Sequence, residues 1–321
     1  MDLKSAFDSV DRESLWLMLQ RLGLPMKIVN LLKALYTDTC NCVLADGTTS
    51  DWFQVNCGVR QGCRIAADLF AAPMDWLMER TVHRGCSGCT LGREVFTDLD
   101  FADDTALLAE MLEVLLLAPE VMNEEATPLG LEINWLKTKI QEIGEPPHTE
   151  TSVAICNAQV KLVESFVYLG SAQHRNGSSD TEIRRRIAIA PDCMTQINRH
   201  IWKSSISVST KVRLYKVYIL PVLLYCCDTW TVTKQLSDRI DAFDMWCLRK
   251  ILRIPYTRHV TNVEVRRVTG CPAASRLVRM RRLQLFGHLA DEEDHHRVLV
   301  AAMSNPPKDG EDQEDVPKKL G

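Results

Sequence analysis

The hydrophobic pattern of this chain changes character once, near Ser178, and that change dictates two parts of different construction. Before it, stretches of helical period alternate with runs of period two; after it, apolar residues recur almost only at helical spacing. In the first part, residues 15–35 read as two helices broken at Gly23-Leu24-Pro25. Residues 40–45 and 52–57 alternate around Asp46-Gly47, a pair that accepts the positive φ of a hairpin turn. A helix follows over 66–82. Two strand-like runs, 95–101 and 105–109, then flank Ala102-Asp103-Asp104, which predicts a second hairpin with two carboxylates at its tip. The helical stretch 110–126 contains Pro119, whose missing N–H and ring clash cost ~3 kcal/mol in a helix interior, so a kinked or marginal helix is expected. Short strands are predicted at 131–134, 140–143, 153–155 and 166–169.

After Ser178, Ser179-Asp180-Thr181-Glu182 has the form of a capping box. It opens a helix with Ile183, Ile187 and Ala190 on one face, Arg184, Arg185 and Arg186 fanned over the other, and Pro191 as its stop. Further helices are predicted at 211–224, 236–254, 262–269 and 275–289, with a disordered tail over 301–321, where Pro, Gly, Lys and acidic residues dominate. Trp202, Trp230 and Trp246 are expected to be core residues of these helices.

Charge divides along the same line. Residues 1–150 carry 12 Lys/Arg against 24 Asp/Glu, and residues 151–300 carry 23 against 13, inside a total of −4. An acidic part suits cations, and a basic part can follow a phosphate backbone. No apolar run reaches the ~18 residues of a membrane span, and Met1 is followed by Asp2 and Lys4, so no membrane partner and an intracellular address are expected, with cytoplasm and nucleus indistinguishable. The twelve cysteines are scattered singly and read as reduced thiols serving as small core residues. Cys86-Ser87-Gly88-Cys89 is half of a zinc motif without a second pair, and Cys271 with His288, His295 and His296 lacks a second cysteine.

Adjacent carboxylates at one tight turn repel, and solvent, a basic partner or a divalent cation must offset the repulsion. Magnesium takes hard oxygen ligands and bridges carboxylates to phosphates. Asp2, near the start of a short apolar segment, and Gly58-Val59-Arg60-Gln61-Gly62, just before a helix, complete the set of residues with chemical potential in the first part.

Their order carries a resemblance. Asp2-Leu3-Lys4-Ser5-Ala6-Phe7-Asp8-Ser9-Val10-Asp11 resembles motif A of the reverse transcriptases of non-LTR, LINE-like retrotransposons. Val59-Arg60-Gln61-Gly62-Cys63 resembles motif B, Phe101-Ala102-Asp103-Asp104 motif C, and Gly130-Leu131-Glu132-Ile133-Asn134 through Lys137-Thr138-Lys139 motif D. Phe166-Val167-Tyr168-Leu169-Gly170-Ser171 resembles motif E, the primer grip. The resemblance continues through Tyr215, Tyr225, the stretch from Trp246 to Leu252, and Arg281 to His288.

The resemblance implies an α+β polymerase palm with a small antiparallel sheet, followed by an all-helical thumb-like domain. Its divisions are a palm core with motifs A to D over 1–147, a motif E region over 148–178, and a thumb with C-terminal extension over 179–300. The implied activity is RNA-directed DNA polymerisation by two-metal nucleotidyl transfer, on an RNA template and DNA primer, from deoxynucleoside triphosphates. Asp2, Asp103 and Asp104 would be catalytic and hold two magnesium ions, with manganese as a substitute. Phe7 would exclude a ribose 2′-hydroxyl, Gln61 and Gly62 would sit beside the incoming nucleotide, and Lys137 would approach its triphosphate. Tyr168, Leu169 and Gly170 would support the primer end, and Arg184, Arg185 and Arg186 would meet phosphates. Family members place a fingers region before motif A. Its expected absence makes this a fragment inactive by itself, with a non-catalytic nucleic-acid-binding remnant as the alternative.

Overall fold

The computed structural model describes residues 1–85, 88–91, 94–144, 151–255, 257–291 and Val300. Cys86, His295, His296 and the 301–321 tail lie outside the described residues. Helices mix with small, mainly antiparallel sheets, an α+β chain. It forms two compact units: one of residues 1–140 and 151–162, the other of residues 141–144 and the described part of Val163–Val300.

In the first unit, helices Arg12–Arg21 and Met26–Tyr36 flank the Gly23-Leu24-Pro25 break. Asp11 starts the first of them by accepting the Ser14 N–H at 2.8 Å, satisfying one of the donors a helix N-terminus leaves bare. The predicted first hairpin pairs Cys40–Asn41 with Phe53–Gln54 and Leu44–Ala45 with Thr48–Thr49, turning through Asp46 and Gly47 at positive φ. Helix Arg64–Gly85 packs against helix Leu112–Ala126. The latter continues through Pro119, so the proline does not end it. Pro119 is itself buried, beside Ala118 and Met122, and the burial of this face offsets the lost hydrogen bond.

The strand predicted at 153–155 forms, and its partner Ala158–Leu162 escaped the sequence pattern. Ser152–Ile155 pairs with Ala158–Leu162 through a turn at Cys156 and Asn157, both at positive φ, and Lys161–Leu162 pairs in parallel with Lys139–Ile140. Ile140, Ile155 and Val160 form a small core with Leu112, Leu115 and Leu116.

The second unit opens with the hairpin Ser165–Tyr168 and Ser171–His174, followed by helices. Helix Asp180–Gln196 passes through Pro191 where a stop was expected. Ala190 and Met194 are fully buried on either side of the proline, and the Met194 carbonyl accepts the buried Trp202 indole N–H at 2.9 Å, so tertiary packing carries the helix onward. Between helices Val208–Leu214 and Leu220–Leu223 the chain winds more widely over Tyr215–Ile219, just ahead of Pro221, whose nitrogen cannot donate. Lys234–Ile251, Asn262–Thr269 and Ala274–Asp291 complete the unit. Thr233 and Thr261 cap the first two through their hydroxyls.

The cysteines described are free thiols. Cys227, Cys247 and Cys271 are core residues as expected, but Cys40, Cys57, Cys63 and Cys156 are exposed, because they lie in turns and edge strands rather than on helix faces.

Candidate active site

The segment Met1–Lys4 is fastened on both sides. The Thr105 N–H donates to the Met1 carbonyl at 3.3 Å; on the other flank Asn134 N–H donates to Asp2 O and Lys4 N–H to Glu132 O, each at 2.8 Å, around an antiparallel bridge of Leu3 with Ile133. Leu3 and Ile133 are buried in the core of the unit, and alternation along an extended segment turns Asp2 the other way.

Thr105 belongs to the second predicted hairpin, Asp98–Phe101 paired with Asp104–Leu107. Ala102 sits at φ 55° in its turn, a conformation uncommon for a residue with a Cβ, and Asp103 follows it. Asp104 is the first residue of the return strand. The three aspartates are therefore brought together. Burial pushes the Asp104 carboxyl above the ordinary aspartate range, and the charges of Asp103 and Asp2 push it further, against the pull of the Met1 ammonium and Lys137. Asp2 Oδ2 is buried without a hydrogen bond, and its near cation is Lys137 Nζ at 3.5 Å.

Among the described residues no three acidic, histidine or cysteine side chains already close a cage around one point. The donors present nonetheless suit a hard cation: they are carboxylate oxygens, one orphaned and one destabilised by its neighbours, and a divalent ion relieves both. Asp2 and Asp104 supply these oxygens, with the charge of Asp103 beside them.

A second carboxyl pair lies one strand turn back, where Asp100 meets Asp98. Burial pushes Asp100 up to about 6, helped by the hydrogen bond and charge of Asp98 and by Asp75, with Thr105 opposing. A carboxyl titration near that value is expected by carbon-13 NMR, abolished by Asp98→Asn and Asp100→Asn together. Since folding raises this pKa, the pair stabilises the fold more as pH drops below about 6. Titration confined to the ordinary aspartate range refutes it.

Phe7 is half-buried and stacked on Phe70, ring centroids 4.3 Å apart. Its carbonyl accepts the Val59 N–H at 2.6 Å, which joins motif A to motif B. Gly58, at φ 76°, lies so close to Asp8 that a Cβ would stand 2.6 Å from its main chain. Gln61 is exposed and donates from Nε2 to Asp8 Oδ2 at 3.2 Å; Gly62 is exposed in the adjoining turn. Asp8 and Arg12 were missed by sequence reasoning. Arg12 donates to the carbonyls of Tyr36, Val55, Cys57 and Gly58, a role that a lone arginine in a helical stretch does not advertise.

Tyr168, Leu169 and Gly170 lie in the second unit, the last two forming a tight turn at positive φ. The Leu169 carbonyl accepts the Tyr225 hydroxyl at 2.8 Å, and the Gly170 carbonyl accepts both Arg185 and Arg186. The expected capping box does not form: Ser179 Oγ turns to Thr231, and Glu182, only 1% exposed, accepts the Ala172 N–H and pairs with Arg185 and Arg186. Nor are the three arginines fanned over an open face. Arg186 is 8% exposed and lies over the Tyr225 ring, Arg185 is half-buried, and Arg184 alone projects outward, paired with Asp180 at 2.6 Å.

Residues 1–172 match the protein family described as Reverse transcriptase (RNA-dependent DNA polymerase). The chain belongs to that family. Relatives of this reverse transcriptase-family chain include a transposon-derived protein of Caenorhabditis elegans, 26% identical over 204 residues, covering 62% of the chain and 73% of the relative. A Retrovirus-related Pol polyprotein from type-1 retrotransposable element R2 of Nasonia vitripennis is 28% identical over 208 residues, covering 60% of the chain and 20% of the relative. A Pol polyprotein of the same description from Popillia japonica is 23% identical over 266 residues, or 79% of the chain and 36% of the relative. The chain thus spans a minor part of the R2 polyproteins it matches. Among the described residues no helix is long and apolar enough to cross a membrane.

Proposed function

We propose that this chain carries the palm and thumb of an RNA-directed DNA polymerase from a non-LTR retrotransposon, and that transfer is completed within a longer polypeptide. The first unit would be the palm and the helices after Ser178 the thumb. The observation that carries the reading is the fastening of Met1–Lys4 beside the Asp103–Asp104 turn, with Asp2 Oδ2 buried without a hydrogen bond and facing Lys137 alone among the described ion pairs. When bound, two magnesium ions would activate a primer 3′-hydroxyl and stabilise leaving pyrophosphate.

The chain's own residues supply position. Asp2 and Asp104 present carboxylate oxygens from two segments that are tied to each other through Met1 and Thr105, so each helps to place the other. Phe7, held against Phe70, offers a fixed edge against a ribose 2′-hydroxyl. Gln61, oriented by Asp8, and Gly62 would border the incoming deoxynucleoside triphosphate, and Lys137, 70% exposed at its side chain, would reach its phosphates. The Leu169–Gly170 turn, pinned by Tyr225 and two arginines, would support the primer end beside Tyr168. RNA template and DNA primer are the proposed partners, within the cell.

Electron paramagnetic resonance with Mn2+ tests the site. Carboxylate-dependent binding is expected, weakened at least tenfold by Asp103→Asn with Asp104→Asn, as expected when two charged oxygen donors are lost. Binding that survives the double substitution overturns the assignment. The second reading, a non-catalytic nucleic-acid-binding remnant, draws on the absence of a closed cage among the described residues and on the basic second part. It gains if the unsubstituted chain takes no Mn2+ yet binds nucleic acid.

A further inference from the structure

A cavity of about 560 Å³ in the helical unit is lined by Asn198, Trp202, Lys203, Lys250 and Arg253. Three of its five walls are cations, and no carboxylate is among them. Behind them stands a fourth cation. Lys211, 4% exposed, donates to the carbonyls of Trp202 and Ser204 at 2.9 and 2.8 Å, and Arg253 donates to the same two carbonyls at 3.1 and 2.6 Å. Two positive side chains thus share two neutral oxygens, with no acidic partner for either among the hydrogen bonds and ion pairs of the described residues.

Burial lowers the Lys211 pKa, and the charge of Arg253 lowers it further, so the cluster carries unrelieved repulsion. Carbonyl dipoles at the end of a helical segment offset part of it, but only an anion offsets the whole. The electrostatics are the converse of the aspartate centre in the first unit.

An aromatic surface adjoins the cations. Lys250 Nζ lies 4.9 Å from the Trp246 ring centroid, and Trp246, expected to be core, is 44% exposed, whereas Trp202 and Trp230 are buried. Phe243 backs the indole, centroids 5.5 Å apart, and limits its rotation. A fixed indole with an open surface next to a cation cluster offers stacking for a base and neutralisation for the phosphates joined to it.

We propose that Lys203, Lys250 and Arg253 bind the phosphates of a single-stranded nucleic acid, with one base stacked on Trp246. The proposal deepens the nucleic-acid reading above and rests on it, but it places strand contact here rather than on Arg185 and Arg186, whose charges are already committed to Glu182. Arg253 and Lys211 hold the local fold and preset the cavity; Lys203 and Lys250 take no part in those carbonyl bonds, and Lys250 lies over the Trp246 ring.

Fluorescence anisotropy of a labelled oligouridylate, with the full chain, tests this across a salt series. The Lys203→Ala, Lys250→Ala double variant is expected to bind roughly tenfold more weakly, with the slope of log affinity against log salt shallower by about 1.4, the value for two phosphates on a single strand. Trp246→Ala is expected to lose roughly tenfold with the slope unchanged, as for a base-stacking contact. Thermal melting of each variant establishes that it is folded. Equal affinity and slope for a folded double variant overturn the site while leaving the polymerase reading to its Mn2+ test. No binding by the unsubstituted chain, or uridine triphosphate binding as tightly as the oligonucleotide, overturns it as well.

Discussion

Replacing Glu182 by Gln is expected to lower the stability of the second unit by about 3 kcal/mol, the lower end of the range for breaking a buried ion pair. The carboxylate is almost wholly enclosed, and it answers three donors at once: Arg185, Arg186 and the Ala172 N–H. An amide keeps the shape and some hydrogen bonding but strands the buried Arg186 guanidinium without its counter-charge. Burial raises this carboxyl's pKa, but the bonds from Arg185, Ala172 and Arg186 outweigh it and hold the group below the usual 4.5. The stabilisation is therefore complete above that value and disappears as pH falls through the lower folded pKa. Urea unfolding at neutral pH and near pH 3 reads both effects: the substitution should shift the neutral midpoint strongly and the acidic one little. Equal midpoints for the two proteins at neutral pH contradict the enclosed pair.

Gly58→Ala should destabilise the first unit by about 3 kcal/mol, of which roughly 1–2 is the left-handed backbone and the remainder steric overlap. The overlap is specific. A Cβ at Gly58 would meet the main chain of Asp8 at 2.6 Å, whereas one at Gly62, also at positive φ, meets nothing within 4 Å. Gly62→Ala is the paired control, expected to show the backbone contribution alone. Chemical denaturation of both separates the two effects, and similar losses rule out the close approach.

How much of this was readable beforehand depends on the range of the forces involved. The Asp103–Asp104 hairpin and the helix pair around Gly23 rest on local periodicity and turn chemistry, and both stand where the residues predict. Pro191 misled, because a proline's local penalty is visible in sequence while the burial that outweighs it is not. Ser179 to Glu182 has the letters of a capping box, yet Glu182 is claimed by two arginines and a strand edge that become neighbours only on folding. The same contacts take Arg186 out of solvent. At the candidate site, motif order pointed to the three aspartates and Lys137, whose charges act on one another in the fold. It was silent on Asp8 and Arg12, whose partners lie 46 or more residues away in part. Hydrogen bonds to main-chain carbonyls leave no signature in side-chain chemistry. The strand Ala158–Leu162 carries the apolar–polar alternation of a half-buried strand, a signal the sequence reading missed.

The Arg12 guanidinium also bears on how this fold tolerates change. One of its nitrogens donates to both the Tyr36 and the Val55 carbonyl, so the intervening hairpin is clasped at its base and its outer strands are largely solvent-facing. The residues beyond the clasp can lengthen, shorten or accept a graft with small entropic consequence, since closure of the loop no longer depends on its own pairing. Diversity among descendants of such a gene is thereby channelled to a protrusion that leaves the aspartates undisturbed.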